Sequence, residues 1–290
     1  MKVVLECIPC YMKQGINALA QTECAEEKAR QIIYQILPMI PELDPEGSPA
    51  VNSTIILHKI NELLEIDDPF KEAKKKSNEL ALSLLPQLRE RIRQSEDPFY
   101  TACQISVAGN IIDLGIFSDY DLEGTLQESL VKRFVRDDSL EFRKRLLSAH
   151  EVLILGDNSG EIAFDKLLVE ELQKSGVQVT FVVKDQPILN DATLEDATQV
   201  GMGEVTKVIT NGNGYLGTVA QECSKELIEA MERADLIISK GQANFETLES
   251  TPEAGDKTYF LFRTKCEIVA KKVGVDLGCM VFVRNQICRY

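Results

Sequence analysis

The apolar positions of this chain follow two rhythms, one before residue 150 and one after it. In the first, they recur at helical spacing. Gln14 to Leu37 carries Ile16, Leu19, Ala20, Ile32, Ile33 and Ile36, which predicts a helix stopped by Pro38 and a turn from Pro41 to Pro49. Ser53 to Leu64 predicts a second helix with Ile56, Leu57, Ile60, Leu63 and Leu64 on one face. After Asp67-Asp68-Pro69 come a third helix, Phe70 to Leu85, and a fourth, Pro86 to Gln94. Residues 98–117 are mostly apolar and small, broken by Gly109-Asn110 and Asp113, and an acidic helical stretch runs on to Leu147.

From Glu151 the pattern changes. Short Val/Ile/Leu-rich runs predict strands at Val152–Leu155, Val177–Val183, Lys207–Thr210, Leu236–Ser239, Thr258–Phe262 and Met280–Val283. Helical patterns start at Glu161, Thr193, Thr218 and Thr264 between them. Such alternation predicts a parallel sheet with helices on both faces. The expected architecture is therefore α/β: a helical N-terminal subdomain over 1–148 and a Rossmann-like three-layer α/β/α domain over 149–290.

Composition narrows the function. With 290 residues and 44% hydrophobic content, the chain can bury a full core. It has no apolar run near the roughly eighteen residues of a membrane span, and its first residues lack the apolar segment of a secretion signal. A soluble, cytoplasmic protein is expected. A net charge of -14 argues against nucleic-acid binding, which needs a basic footprint. It leaves room for a small phosphorylated ligand held by a local cation. Oligomeric state is not legible.

Candidate chemistry gathers at the predicted strand ends, where open α/β sheets bind ligands. The run VLIL enters Gly156-Asp157-Asn158-Ser159-Gly160-Glu161, and a helix follows at once. Ser159 and Gly160 would stand at its N-terminus, where N–H groups attract anions. After the next strand comes Asp191. Two carboxylates and an amide oxygen form a hard, oxygen-only set suited to a divalent ion that keeps water and takes phosphate oxygens. The plain alternative is that Asp and Asn are common turn and capping residues, and Thr193 to Asp196 spells an ordinary capping box. Lys240 and Lys265 close two further strands in an otherwise acidic chain, and could neutralise phosphate or simply be solvated.

Two motifs point elsewhere. Gly212-Asn213-Gly214-Tyr215-Leu216-Gly217 fits the glycine fingerprint of a dinucleotide-binding oxidoreductase, but the next strand ends in Ser239-Lys240 instead of an acid. A flexible glycine lid over the site is the preferred reading. Cys7-Ile8-Pro9-Cys10 could be redox-active or half of a zinc site, yet no second such pair exists and no βαβ unit follows it. A binding module that holds metal and ligand without turnover is the non-enzymatic alternative.

Taken together, Cys7-Ile8-Pro9-Cys10, Ala108-Gly109-Asn110-Ile111-Ile112-Asp113, Gly156–Glu161, Asn190-Asp191, Ser239–Asn244 and Arg263-Thr264-Lys265-Cys266 resemble, in order, the motifs of the metal-dependent damage-control phosphatases with an ARMT-like domain, in their stand-alone archaeal and bacterial branch. The resemblance implies hydrolysis of phosphorylated metabolites such as sugar phosphates, with Mn²⁺, Mg²⁺, Co²⁺ or Ni²⁺. By the same resemblance Asp157, Asn158 and Asp191 would hold the metal, and Asn110, Asp113, Lys240, Asn244 and Lys265 would meet substrate. Asp157 and Lys265 are the expected catalytic residues, the nucleophile being either water or Asp157 itself. One departure is the turn Asn211–Tyr215, where the branch usually carries a Ser-Gly-Asn-Asp-like sequence. Substrate is expected between the two halves.

Overall fold

The structure, a computed structural model, describes residues 1–109, 132–249 and 251–285. All six apolar runs form strands: β2 (Glu151–Leu155), β3 (Gln178–Val183), β4 (Lys207–Thr210), β5 (Leu236–Lys240), β6 (Thr258–Arg263) and β7 (Met280–Arg284). A two-residue strand, β1 (Arg136–Asp137), completes a seven-stranded sheet in the order β1-β7-β6-β5-β2-β3-β4. Ile154 of the central strand stands beside Phe181 and Ile238 on its two neighbours.

Strand side chains alternate between faces, so a strand buried on both sides needs apolar residues at every position. Here Val152, Ile154, Phe181, Ile238, Leu261 and Phe282 enter one core, and Leu153, Leu155, Val182, Ile237, Phe260 and Val281 the other. The first core is covered by α4 (Lys71–Gln94), α5 (Pro98–Ala108), α6 (Ser139–Leu146), α7 (Glu161–Gln173) and α8 (Leu194–Gln199). The second is covered by α9 (Lys225–Arg233), α10 (Gln242–Leu248) and α11 (Glu267–Val273). A third cluster joins α1 (Cys7–Ala20), α2 (Glu26–Ile36) and α3 (Pro49–Leu64) to Ile188 and Leu216 in the loops after β3 and β4. The apolar cores thus divide at a different place from the change of composition at residue 149: α4, α5, β1 and α6 belong to the sheet.

One strand departs from the expected parallel arrangement. β7 runs antiparallel to β6, with Arg263 opposite Met280. The seven-residue α11 spans only about 10 Å, and the chain then folds back, Thr264 donating to Cys279 and Gly278 to Thr264. The strand therefore starts where its predecessor ended. The predicted helix 14–37 is two helices, broken where the Thr22 hydroxyl donates to the Leu19 carbonyl (2.8 Å) and accepts from the Cys24 amide (3.3 Å), local bonds that compete with the helical ladder. Conversely, Pro86 does not start a new helix. It lies inside α4, whose buried face of Ala81, Leu85, Leu88 and Ile92 continues across it. The helix predicted from Thr218 begins only at Lys225, where Ser224 caps it by accepting from the Leu227 amide.

Candidate active site

Two strand-end turns are stitched together by their backbones. Ala192 donates its amide to the Asp157 carbonyl (2.8 Å) and Ser159 donates to the Asn190 carbonyl (2.9 Å), so Asn158 and Asp191 pair as an antiparallel bridge. Asp157, Asn158 and Asp191 are all buried, and the Asn158 amide donates to the Asp157 carboxylate at 3.0 Å. The turn after β5 closes against them. Gly241 has φ +80°, and a Cβ there would sit 2.2 Å from the Asp157 carboxylate. Only glycine gives the acid that space.

These groups form one wall of a cavity of about 510 Å³, which Lys265 also lines. Cys7, Tyr11 and Gln14 of α1 and Ser53 of α3 face them across it. The Cys7–Cys10 motif flagged Cys7, but nothing in the sequence singled out Tyr11, Gln14 or Ser53, because only the docking of α1 and α3 on the strand ends makes their positions meaningful. Burial pushes the Tyr11 phenol up to about 12 and raises the Cys7 and Cys10 thiols.

Behind the wall lies a buried ionic network. Lys240 is fully buried and donates to Asp165 (2.6 Å), to Glu161 and to the Ser106 carbonyl (3.4 Å). Burial alone would lower the Lys240 ammonium, but Asp165 and Glu161 outweigh it and hold it protonated. Burial pushes Glu161 up to about 8, opposed by Lys240 and reinforced by Asp165 and Asp157. On the other side, the buried Lys184 stands 3.6 Å from the Asp191 carboxylate and donates to the Gly217 carbonyl.

The donor set fits a divalent cation. The buried carboxylates Asp157, Glu161, Asp165 and Asp191 face two buried ammoniums, Lys184 and Lys240. Asp157 and Asp191 are the two of these carboxylates that reach the cavity. All the candidate donors are oxygen atoms. Among the described residues no three of His, Cys, Asp and Glu form a metal-binding group, so Asn158 and solvent or ligand oxygens would complete the shell, as Mg²⁺-type sites often require.

The predicted residues divide accordingly. Asp157, Asn158, Asp191 and Lys265 line the cavity. Ser159 and Gly160 do not offer N–H groups to it, since Ser159 N–H goes to Asn190 and Gly160 N–H to the Asn78 side chain (2.7 Å). Lys240 is not placed to neutralise a ligand, its ammonium being spent on Glu161 and Asp165. Asn244 ties strand ends together, donating to the carbonyls of Gly156 (3.1 Å) and Lys240 (2.7 Å). Asn110 and Asp113 lie outside the described residues. The glycine loop 212–217 is a pinned bracket: Leu216 N–H donates to Thr54 of α3, and the Gly214 carbonyl meets His58 at 3.0 Å. A 3-10 turn at Ala220–Glu222 follows it, so it leads into no helix N-terminus that could cradle a pyrophosphate.

Comparison with known proteins identifies the family. The damage-control phosphatase ARMT1-like domain is matched over residues 3–281. A damage-control phosphatase of Archaeoglobus fulgidus is 37% identical, over 97% of this chain and 98% of its own. A damage-control phosphatase of Pyrococcus horikoshii is 33% identical, over 99% of each chain. The crystal structure of a DUF89 family protein from Pyrococcus horikoshii superposes with a TM-score of 0.89 at 32% identity, covering 99% of this chain and 100% of that one. The chain belongs to the damage-control phosphatase ARMT1-like domain family. Its activity is that of a phosphatase in metabolite damage control. No helix among the described residues is long and apolar enough to cross a membrane.

Proposed function

We propose that the protein is a divalent-metal-dependent phosphatase that hydrolyses phosphate monoesters of small, sugar-like metabolites in this cavity. The observation that supports this most directly is the backbone pairing of the β2 and β3 turns, which sets two buried carboxylates and an amide side by side at the cavity wall. Asp157, Asn158 and Asp191 would hold Mn²⁺, Mg²⁺, Co²⁺ or Ni²⁺, and such an ion supplies Lewis-acid polarisation of a phosphoryl oxygen. Lys265, which lines the same cavity, offers positive charge to the phosphoryl group, the kind of fixed electrostatic support on which phosphoryl transfer depends. The α1 and α3 wall, with Tyr11, Gln14 and Ser53, faces the organic part of the substrate. The nucleophile is either water or the Asp157 carboxylate, which would pass through an aspartyl-phosphate.

The test is a panel of phosphorylated metabolites assayed with each of the four ions. Asp157→Ala should abolish turnover with every ion while circular dichroism shows the fold retained; a folded variant that still turns over would overturn the reading. Borohydride reduction of a quenched single turnover separates the nucleophiles, because only the covalent route leaves an acyl phosphate on Asp157 that is reduced to homoserine.

A further inference from the structure

Lys184 lies outside the cavity wall, yet it is the buried cation beside a residue that faces the cavity. Its position is fixed twice by backbone: it directly follows Val183, the last residue of β3, and its amide donates to the Ala192 carbonyl at 2.8 Å. Its ammonium stands 3.6 Å from the Asp191 Oδ2 atom and donates to the Gly217 carbonyl. Asp191 does not depend on this lysine for its place in the chain. Its amide donates to the Ile188 carbonyl (3.1 Å), and its backbone pairs with Asn158.

We infer that Lys184 is a resident counter-ion of Asp191 that sets how tightly the Asp157–Asn158–Asp191 wall takes a divalent cation. This rests on the metal-site reading above. An ammonium beside a carboxylate compensates part of its charge, which stabilises the metal-free protein. The same ammonium repels an incoming cation on that carboxylate through a low-dielectric interior, where such terms are several times stronger than in water. Lys184 is thus a positioning residue with opposite effects on the two states: it steadies the empty site and weakens the filled one. It also joins that site to the glycine loop through Gly217, one residue from the cavity-lining Leu216.

The decisive variant is Lys184→Gln, which removes the charge and keeps a donor for the Gly217 carbonyl. Mn²⁺ alone is titrated by calorimetry into wild type, Lys184→Gln, Lys184→Met and Lys184→Arg, and melting is followed with and without the ion. The neutral variants should bind Mn²⁺ at least tenfold more tightly, melt lower when metal-free, and gain more from Mn²⁺ than wild type does. Lys184→Arg should keep wild-type affinity. Neutral variants with unchanged or weakened Mn²⁺ binding beside a binding wild type overturn the inference and leave the metal site standing. A wild type that takes no Mn²⁺, Mg²⁺, Co²⁺ or Ni²⁺ fails the metal-site reading, and this inference falls with it.

Discussion

Gly241 offers a way to move Asp157 without replacing it. The residue sits at φ +80° and ψ 159°, a region essentially reserved for glycine, and its missing Cβ would lie 2.2 Å from the Asp157 Cγ and Oδ2 atoms. Gly241→Ala therefore carries backbone strain of roughly 1–3 kcal/mol. It also forces the carboxylate back by roughly 1 Å before ordinary van der Waals contact is regained. A misplacement of that size in a catalytic constellation is worth on the order of 100-fold in rate. Gly176 is the control. It has φ +83°, and a Cβ there meets nothing within 4 Å. Gly176→Ala should lose roughly 1–2 kcal/mol, or about 2–8 °C in melting temperature, with full activity. Gly241→Ala should melt in a similar range and lose about two orders of magnitude in kcat/KM and in Mn²⁺ affinity. Phosphatase assays, calorimetric metal titration and thermal melts on the same preparations separate the two. A Gly241→Ala protein with wild-type turnover and metal affinity would refute the claim that the placement of Asp157 matters.

Three further outcomes follow from the buried charges and the cavity thiols. Lys240→Met leaves Glu161 and Asp165 buried without their ammonium, so chemical denaturation should show a loss of about 3–5 kcal/mol; unchanged stability with a raised KM would return Lys240 to the substrate site. Asp196 is buried, which alone would raise its carboxyl, but Lys74 and hydrogen bonds from Thr193 and Asn78 outweigh this and hold it below its usual range. Its stabilising contribution is therefore full above the unfolded value of about 3.9 and lost as pH falls through the lower folded value. The stability gap between wild type and Asp196→Asn, measured in urea, should stay constant from neutral pH down to about pH 4.5 and narrow below it; a gap that widens in acid contradicts the ion pair. Burial raises the Cys7 and Cys10 thiols, so iodoacetamide should label them more slowly than free cysteine at neutral pH and faster as pH rises above about 8.5. Labelling at neutral pH faster than free cysteine would contradict that environment.

The strands were legible because they are buried on both faces, which leaves continuous apolar runs. Each predicted strand is found, its ends shifted by at most one residue. β1 was not legible: Arg136-Asp137 has no pattern of its own and is a strand only because β7 lies beside it. The metal-type residues could be read as strand-end acids, but their convergence depends on the backbone pairing of residues far apart in sequence. Lys240 misled because a strand-end lysine before a glycine resembles a phosphate ligand. A signal against that reading was present. Asp165 interrupts the buried face that α7 builds from Ile162, Leu168 and Leu172, and a buried acid there requires a cation. Tyr11 and Gln14 were silent because a cavity wall supplied by one unit against another leaves no periodic trace in either.

The cavity draws its lining from several separate stretches of chain. The residues of the proposed metal site come from the turns at 157–158 and 191, while α1 and α3 contribute lining side chains within residues 7–53. Substitutions in that early stretch can reshape the space and its polarity without disturbing the backbone bridge that aligns the carboxylates. An ancestral chain with this layout could acquire new substrates by drift in its first fifty-odd residues while its chemistry stayed under independent selection. In a phosphatase of metabolite damage control, that separation gives evolution a variable sieve in front of a constant reaction.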